Sequence, residues 1–201
     1  MGKTIILIGK TGSGKSTLAN VISGTNKFLE SGLGVSKTRN IQKEEFAERD
    51  INYTIIDTVG IGDTQLKKEE VLDKIAEAVY LARKGISQIL FVIGDRFDKY
   101  QMSIYNLLKT IIFDQDATDY TTVVRTNFPE FCDEKSCQED IKKMLVSEGE
   151  LSKIIDSCQE RILHVSNPPT ARKTGKELEL NEQDRAESRE KLLEHLQKKF
   201  Q

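Results

Sequence analysis

The sequence predicts an α/β fold in three layers, a mostly parallel six-stranded sheet with helices on both faces. Three observations predict it. Short apolar, β-branched runs alternate along the chain with stretches of helical periodicity. The first of these runs opens into a glycine loop that leads straight into a helix. Residue types suited to holding a ligand fall just after the apolar runs, at the strand ends where open parallel sheets gather ligands.

Residues 4–8 (Thr4, Ile5, Ile6, Leu7, Ile8) read as a buried parallel strand. Gly9-Lys10-Thr11-Gly12-Ser13-Gly14-Lys15-Ser16 follows, then Thr17, which fits the G-x-x-x-x-G-K-[ST] pattern between a strand and a helix. In that setting the backbone N–H groups of the loop and of the helix start form an anion nest. Lys15 then reaches the β- and γ-phosphates, and the Ser16 hydroxyl ligates Mg²⁺. Gly12 and Gly14 allow close approach of backbone to phosphate or supply a positive φ. The motif predicts a nucleoside-phosphate site. Its helix continues over 17–23 until Gly24 stops it.

Residues 25–42 read as a polar, glycine-broken loop suited to a first mobile switch. Thr38, with Ser36 as its substitute, is the hydroxyl expected to close onto Mg²⁺ when a γ-phosphate is present. An ordinary solvated loop is the alternative. Residues 41–49 read as an edge strand guarded by Lys and Glu. Residues 52–56 read as a buried strand running into Asp57-Thr58-Val59-Gly60. An aspartate ending a strand there holds Mg²⁺ through a water beside Ser16, and the Gly60 N–H meets the γ-phosphate. The glycine-hinged residues 61–65 would be the second switch.

Residues 67–84 predict a helix with Val71, Ile75, Val79 and Ala82 on one stripe, stopped by Gly85. Residues 87–93 form the next buried strand. A helix over 97–113 turns Ile104, Leu107, Leu108, Ile111 and Ile112 inward. Residues 120–124 are a strand leading into Arg125-Thr126-Asn127-Phe128-Pro129-Glu130. A helix with a charged face covers 134–158, and 161–165 is a last strand ending at Ser166-Asn167-Pro168-Pro169. Residues 170–181 read as a polar linker. A final helix over 182–200 carries the seam Leu192, Leu193, Leu196 and Phe200, which docks on the sheet or on a partner. One domain is expected, without internal repeats.

The chain has 201 residues, enough for a substantial core, and a formal net charge of -2, which argues against nucleic acid as the main partner. No apolar run approaches the ~20 residues of a membrane span. Met1 leads directly into the first strand, so no secretory leader is expected. Ile6 stands where a myristoylation motif needs Ser or Thr. Three cysteines, an odd number, point to reduced thiols in a cytoplasmic compartment. Neither the cysteines nor His164 and His195 have zinc-site spacing.

The phosphate loop at 9–17 together with Asp57-Thr58-Val59-Gly60 resembles the immunity-associated GTPases. These carry the avirulence-induced-gene type of G domain and lie close to the septins and the chloroplast-import GTPases. Ser36-Lys37-Thr38 is similar to that family's first-switch motif. The resemblance runs from residue 3 to about 170 and implies a Ras-like P-loop NTPase G domain filling residues 1–201. It implies GTP/GDP binding with Mg²⁺. Gly9, Lys10, Thr11, Gly12, Ser13, Gly14, Lys15, Ser16 and Thr17 would contact the phosphates, and Ser16, Thr38 and Asp57 the metal. Lys15, Thr38 and Gly60 would serve the γ-phosphate. A homodimer or oligomer across the nucleotide face is also implied.

The base-reading motif departs from the Ras-like N-K-x-D. Here it reads Asn127-Phe128-Pro129-Glu130, with Asn127 retained by position, Phe128 available to stack on the base and Glu130 replacing the aspartate. A proline turn with no base contact is the alternative. Asn167 resembles the polar residue that the family places near the base, though Ser166-Asn167-Pro168-Pro169 is also a good turn. Ile61 stands where Ras-like proteins have the glutamine that orients the attacking water. Slow hydrolysis is therefore expected unless Asp63, Thr64, Gln65 or a residue of a second protomer substitutes; Arg39 either supplies charge there or, as a surface arginine ordinarily does, faces solvent. The expectation is a slow, Mg²⁺-dependent GTPase whose nucleotide state controls self-association. Two alternatives stay open. A P-loop small-molecule kinase or ATPase would need an arginine-rich lid, whereas Arg96 and Arg125 are isolated; the other is a GTP-binding scaffold that does not hydrolyse.

Overall fold

The computed structural model describes residues 2–30, 41–58, 68–83, 85–94, 101–103, 105–106, 115–146 and 150–198. Six strands make one sheet: β1 (Lys3–Gly9), β2 (Gln42–Glu48), β3 (Ile51–Asp57), β4 (Gln88–Ile93), β5 (Thr121–Arg125) and β6 (Ile162–His164). Their order across the sheet is β2-β3-β1-β4-β5-β6. All neighbours pair in parallel except β2 with β3. The antiparallel β2 is the edge. It alternates half-buried and exposed residues, and its Phe46 stacks on Tyr53 at 5.1 Å. The expected mostly parallel sheet is therefore present.

Successive side chains of a strand point to opposite faces, and both faces are covered. Ile6, Ile8, Ile56, Phe91 and Val123 line one face. They meet α2 (Lys68–Leu81), α3 (Glu134–Val146) and α4 (Glu150–Ser157). Tyr105, in the helical residues 105–106, joins them edge-on to Phe91 at 5.5 Å. Ile5, Leu7, Ile55, Leu90 and Val124 line the other face. There they meet α1 (Lys15–Ser23) and α5 (Gly175–Gln197).

Three expectations change. Residues 134–158 divide into α3 and α4. Of the stripe expected on α2, Ile75 is buried, as is Ala82 just past its end, but Ala78 is buried where Val79 is 36% exposed; the side chain of Val71 lies outside the described residues. Small alanines let the helix approach the sheet, and that closeness outweighs the larger apolar side chain of valine. The last helix begins at Gly175 rather than 182. Residues 176–180 are Lys, Glu and Leu, good helix formers that need no buried face to continue a helix that is docked further on. Of the interval 97–113, residues 101–103 and 105–106 are helical. The inward residues expected at 104, 107, 108, 111 and 112 lie outside the described residues.

The final helix docks on its own domain. Leu192, Leu193 and Leu196 are buried, and His195 Nε2 lies 2.8 Å from Thr122 Oγ1. The Lys3 ammonium donates to the Leu196 carbonyl. Leu192→Ala should therefore lower the unfolding free energy by about 3 kcal/mol. Val146→Ala, at an exposed position, should change it by less than about 0.5 kcal/mol. Urea denaturation checks both, and equal effects would mean that α5 is not part of the core.

Candidate functional site

β1 runs into the glycine loop beneath β4. A Cβ at Gly9, where φ is 157°, would overlap the Val92 carbonyl oxygen and lie 3.0 Å from Ser13 Oγ. Only glycine lets the loop cross the neighbouring strand so closely. Ser13 N–H donates to Lys10 O at 3.1 Å and closes the turn. Gly14 caps α1 in the left-handed conformation, and no side chain caps the helix. Within α1 the N–H groups of Lys15, Ser16 and Thr17 have no carbonyl four residues back. The loop and the positive end of the helix dipole thus form an anion nest.

Lys15 is only 6% exposed and folds back over the loop, its Nζ donating to Lys10 O at 3.0 Å. Burial pushes its ammonium down to about 8, and the Asp57 carboxylate opposes that fall. Asp57 ends β3 with no exposure to solvent. Burial raises its carboxyl, while Lys15 and a hydrogen bond from Ser16 act in the other direction. Ser16 Oγ donates to Asp57 Oδ2 at 2.6 Å, and Asp57 Oδ1 is buried without a hydrogen-bond partner among the described residues. A buried carboxylate oxygen left unmade beside a hydroxyl fits a hydrated divalent cation of the Mg²⁺ kind, which takes one or two protein oxygens and completes its shell with water and phosphate. Ser13 Oγ, also buried and unpartnered, faces the same problem.

Two residues that the sequence reading missed hold this floor in place. The Thr58 hydroxyl donates to Leu7 O at 2.7 Å, tying the chain after β3 to β1. The Thr126 hydroxyl lies 2.9 Å from Ser13 O and 3.0 Å from Ile93 O, joining the end of β5 to the phosphate loop. A Cβ on Gly14 would sit 3.6 Å from the Thr126 side chain. Nothing in the sequence marks Thr126 except its place between a strand and Asn127.

β5 and β6 pair with Arg125 opposite His164, which puts residues 126–130 and 165–169 side by side at the same rim. Phe128 N–H donates to Val165 O at 3.2 Å. The Phe128 ring packs on His164 with centroids 4.7 Å apart, so the ring expected to stack on a base is engaged within the domain. Asn127 is exposed with φ 57°, and Glu130 is exposed. His164 meets Asp140 at 2.9 Å, and Arg125 reaches the same carboxylate oxygen at 3.4 Å, which braces the segment from below. Asn167 differs from a turn former. Its side chain is 9% exposed, and both amide atoms are buried with no partner. A buried primary amide with its donor and acceptor both unmade is suited to a ligand edge.

The Thr17 side chain is hydrogen-bonded to Glu30, so what Thr17 can offer a phosphate is its backbone N–H. Ser36, Thr38 and Arg39 of the expected first switch lie outside the described residues, as do Gly60, Ile61, Asp63, Thr64 and Gln65 of the second and Arg96. Cys132, Cys137 and Cys158 are free thiols. Burial pushes the Cys132 thiol up to about 11, with Glu187 adding to the shift, so it is not an activated nucleophile. No described helix is long and apolar enough to cross a membrane.

Comparison with known proteins agrees with this geometry. Immune-associated nucleotide-binding protein 13 of Arabidopsis thaliana is 28% identical over 163 residues, covering 79% of this chain and 47% of that protein. The chain spans about half the length of several curated relatives that it matches. Among solved structures, Toc33 from Arabidopsis thaliana in complex with GDP and Mg²⁺ superposes with a TM-score of 0.63 at 20% identity, covering 98% of this chain and 84% of that one. A structure concerned with the importance of dimerization for the GTPase activity of the chloroplast translocon components Toc33 and Toc159 superposes at 0.62 with 18% identity, covering 87% and 74%. These likenesses show the fold. The model of the AIG1 family matches residues 3–198. With the phosphate loop, the buried Lys15 and Asp57 and the strand order all in agreement, this chain belongs to the AIG1 family.

Proposed function

We propose that this protein binds GTP and GDP with Mg²⁺, hydrolyses GTP slowly, and uses its nucleotide state to control self-association in the cytoplasm. The observation that carries the phosphate and metal part is the burial of Lys15 and Asp57 together at the start of α1, with Ser16 Oγ bonded to Asp57 Oδ2 and Asp57 Oδ1 unmade among the described residues. When bound, Mg²⁺ would draw charge from the β- and γ-phosphates. Ser16 would ligate it, and Asp57 would orient its waters. The Lys15 ammonium and the N–H groups of residues 14–17 would hold the phosphates in line and stabilise charge as it builds on them.

Guanine recognition falls to the rim after β5 and β6. There the unpartnered amide of Asn167 would meet the base, with Asn127 and Glu130 beside it. The Asn167 amide and the GDP-bound relative support this reading over a bare turn. Slow hydrolysis follows from Ile61, which has no hydrogen-bonding group for the attacking water. The same residue favours a second reading, a GTP-binding scaffold that does not hydrolyse. Self-association is suggested by the structural relative whose dimerization matters for its GTPase activity.

Calorimetric titration of nucleotide-free protein with GDP and with ADP in Mg²⁺ tests the base. The wild type should prefer GDP by at least about a hundredfold, and Asn167→Ala should reduce that preference about tenfold. Equal binding of the two nucleotides would overturn the guanine assignment. Sedimentation velocity in GDP and in a non-hydrolysable GTP analogue should show the larger species with the analogue only. An unchanged distribution would remove self-association from the reading.

Lys15 adds a pH signature. Its ammonium is held down to about 8 in the free protein, and a bound phosphate would raise it again. Nucleotide affinity should be flat well below pH 8 and fall as pH rises through that value, because binding must then take up a proton. Titrations near pH 8.5 in buffers of different ionisation enthalpy should show that uptake, and Lys15→Met should abolish it.

A further inference from the structure

Three polar residues of α5 grip the loop after β6. Asn181 Nδ2 donates to Pro169 O at 2.8 Å, and Arg185 Nε donates to Pro168 O at 2.7 Å. Ser188 Oγ donates to Ser166 O at 2.8 Å and accepts the Ser166 N–H at 3.0 Å. Their spacing of four and three residues puts them on one stripe of the helix, continuous with the buried Leu192 and Leu196. Asn167, the amide with no partner, sits in the middle of the segment they hold.

Arg185 does more than grip that loop. Its two terminal nitrogens meet both oxygens of Glu30, at 2.9 and 3.3 Å. The side chains of this pair are largely shielded, 14% and 28% exposed. Glu30 in turn accepts from Asn20 Nδ2 at 2.9 Å and is hydrogen-bonded to Thr17. Both belong to α1, the helix that begins at the phosphate loop. Asn20 is itself buried and held on both sides by the backbone of Phe28. One planar guanidinium therefore spans from the base-side loop to the phosphate-side helix. A guanidinium is rigid, so it can satisfy Pro168 O and the Glu30 carboxylate together only at one separation of the two segments.

From this geometry we infer that Arg185 is a positioning residue that sets the distance between the base-side loop and the phosphate-side helix, so that nucleotide residence time depends on the Arg185–Glu30 pair. The inference rests on the guanine-nucleotide reading above. Neither residue belongs to the set assigned above to the phosphates, the metal or the base. Each acts through a neighbour, Arg185 through the carbonyl next to Asn167 and Glu30 through Thr17 and Asn20. A ligand anchored at both ends resists release only while both anchors keep their spacing.

The test is the release rate of fluorescent N-methylanthraniloyl-GDP, chased with unlabelled GDP, from the wild type, Glu30→Gln, Arg185→Lys and the double variant. Glu30→Gln leaves the Pro168 bond in place but removes the charge that orients the guanidinium. Arg185→Lys keeps the charge but cannot reach both partners. Each single variant should release GDP about tenfold faster, and the double variant no more than about twofold faster than either, because both break one linkage. Release within twofold of wild type in Glu30→Gln would overturn the inference. So would rates in the double variant that multiply, or lowered melting temperatures with unchanged release, which would make the pair a stability feature alone. A wild type that binds no GDP would instead overturn the guanine-nucleotide reading and take this inference with it.

Discussion

Burying an ammonium or a carboxylate alone removes several kcal/mol of hydration, and each is tolerated only where the other is close. Lys15 and Asp57 are buried together at the end of β1 and β3, which are hydrogen-bonded neighbours with Leu7 opposite Asp57. That pairing needs the loop to lie flat over the sheet, which needs Gly9 against Val92 O, which needs β4 at the side of β1. The parallel order of the central strands and the composition of the loop are two expressions of one electrostatic requirement. What the pair leaves unmade among the described residues, Asp57 Oδ1, is what a hydrated cation would complete.

The base side is built differently. Its residues stand on two loops after β5 and β6, elements with little chain between them and the solvent, and those loops are stiffened from outside. Arg125, Asp140 and His164 brace residues 126–130 from the α3 side of the sheet. Asn181, Arg185 and Ser188 brace residues 166–169 from α5. Burial of His164 holds it below its ordinary value against the pull of Asp140, so this brace is a neutral imidazole donating to a carboxylate at neutral pH. The phosphate floor is positioned by backbone and glycine, the base rim by side-chain hydrogen bonds to carbonyls.

This division explains what was legible in the sequence. The phosphate loop and Asp57 could be read because their chemistry requires particular residues at particular spacings beside apolar runs. The sheet could be read because strands covered on both faces are continuously apolar. Hydropathy ranks Val79 above Ala78 on α2, yet it is the smaller Ala78 that is buried. The first two turns of α5 read as a linker because a helix with solvent on most sides is as polar as a loop. Asn181, Arg185 and Ser188 could not be recognised as a group, since their partners are backbone carbonyls that any sequence would supply. Thr126 shares that fate.

The bond from Lys3 to the Leu196 carbonyl joins the start of β1 to the last turn of α5. β1 runs from there toward the phosphate loop, so this junction lies about 20 Å from the ligand rim, on the far side of the sheet. Residues 3 and 197 therefore lie side by side at the end of the sheet opposite the phosphate loop. Segments joined at that end of the sheet need not pass the proposed nucleotide site.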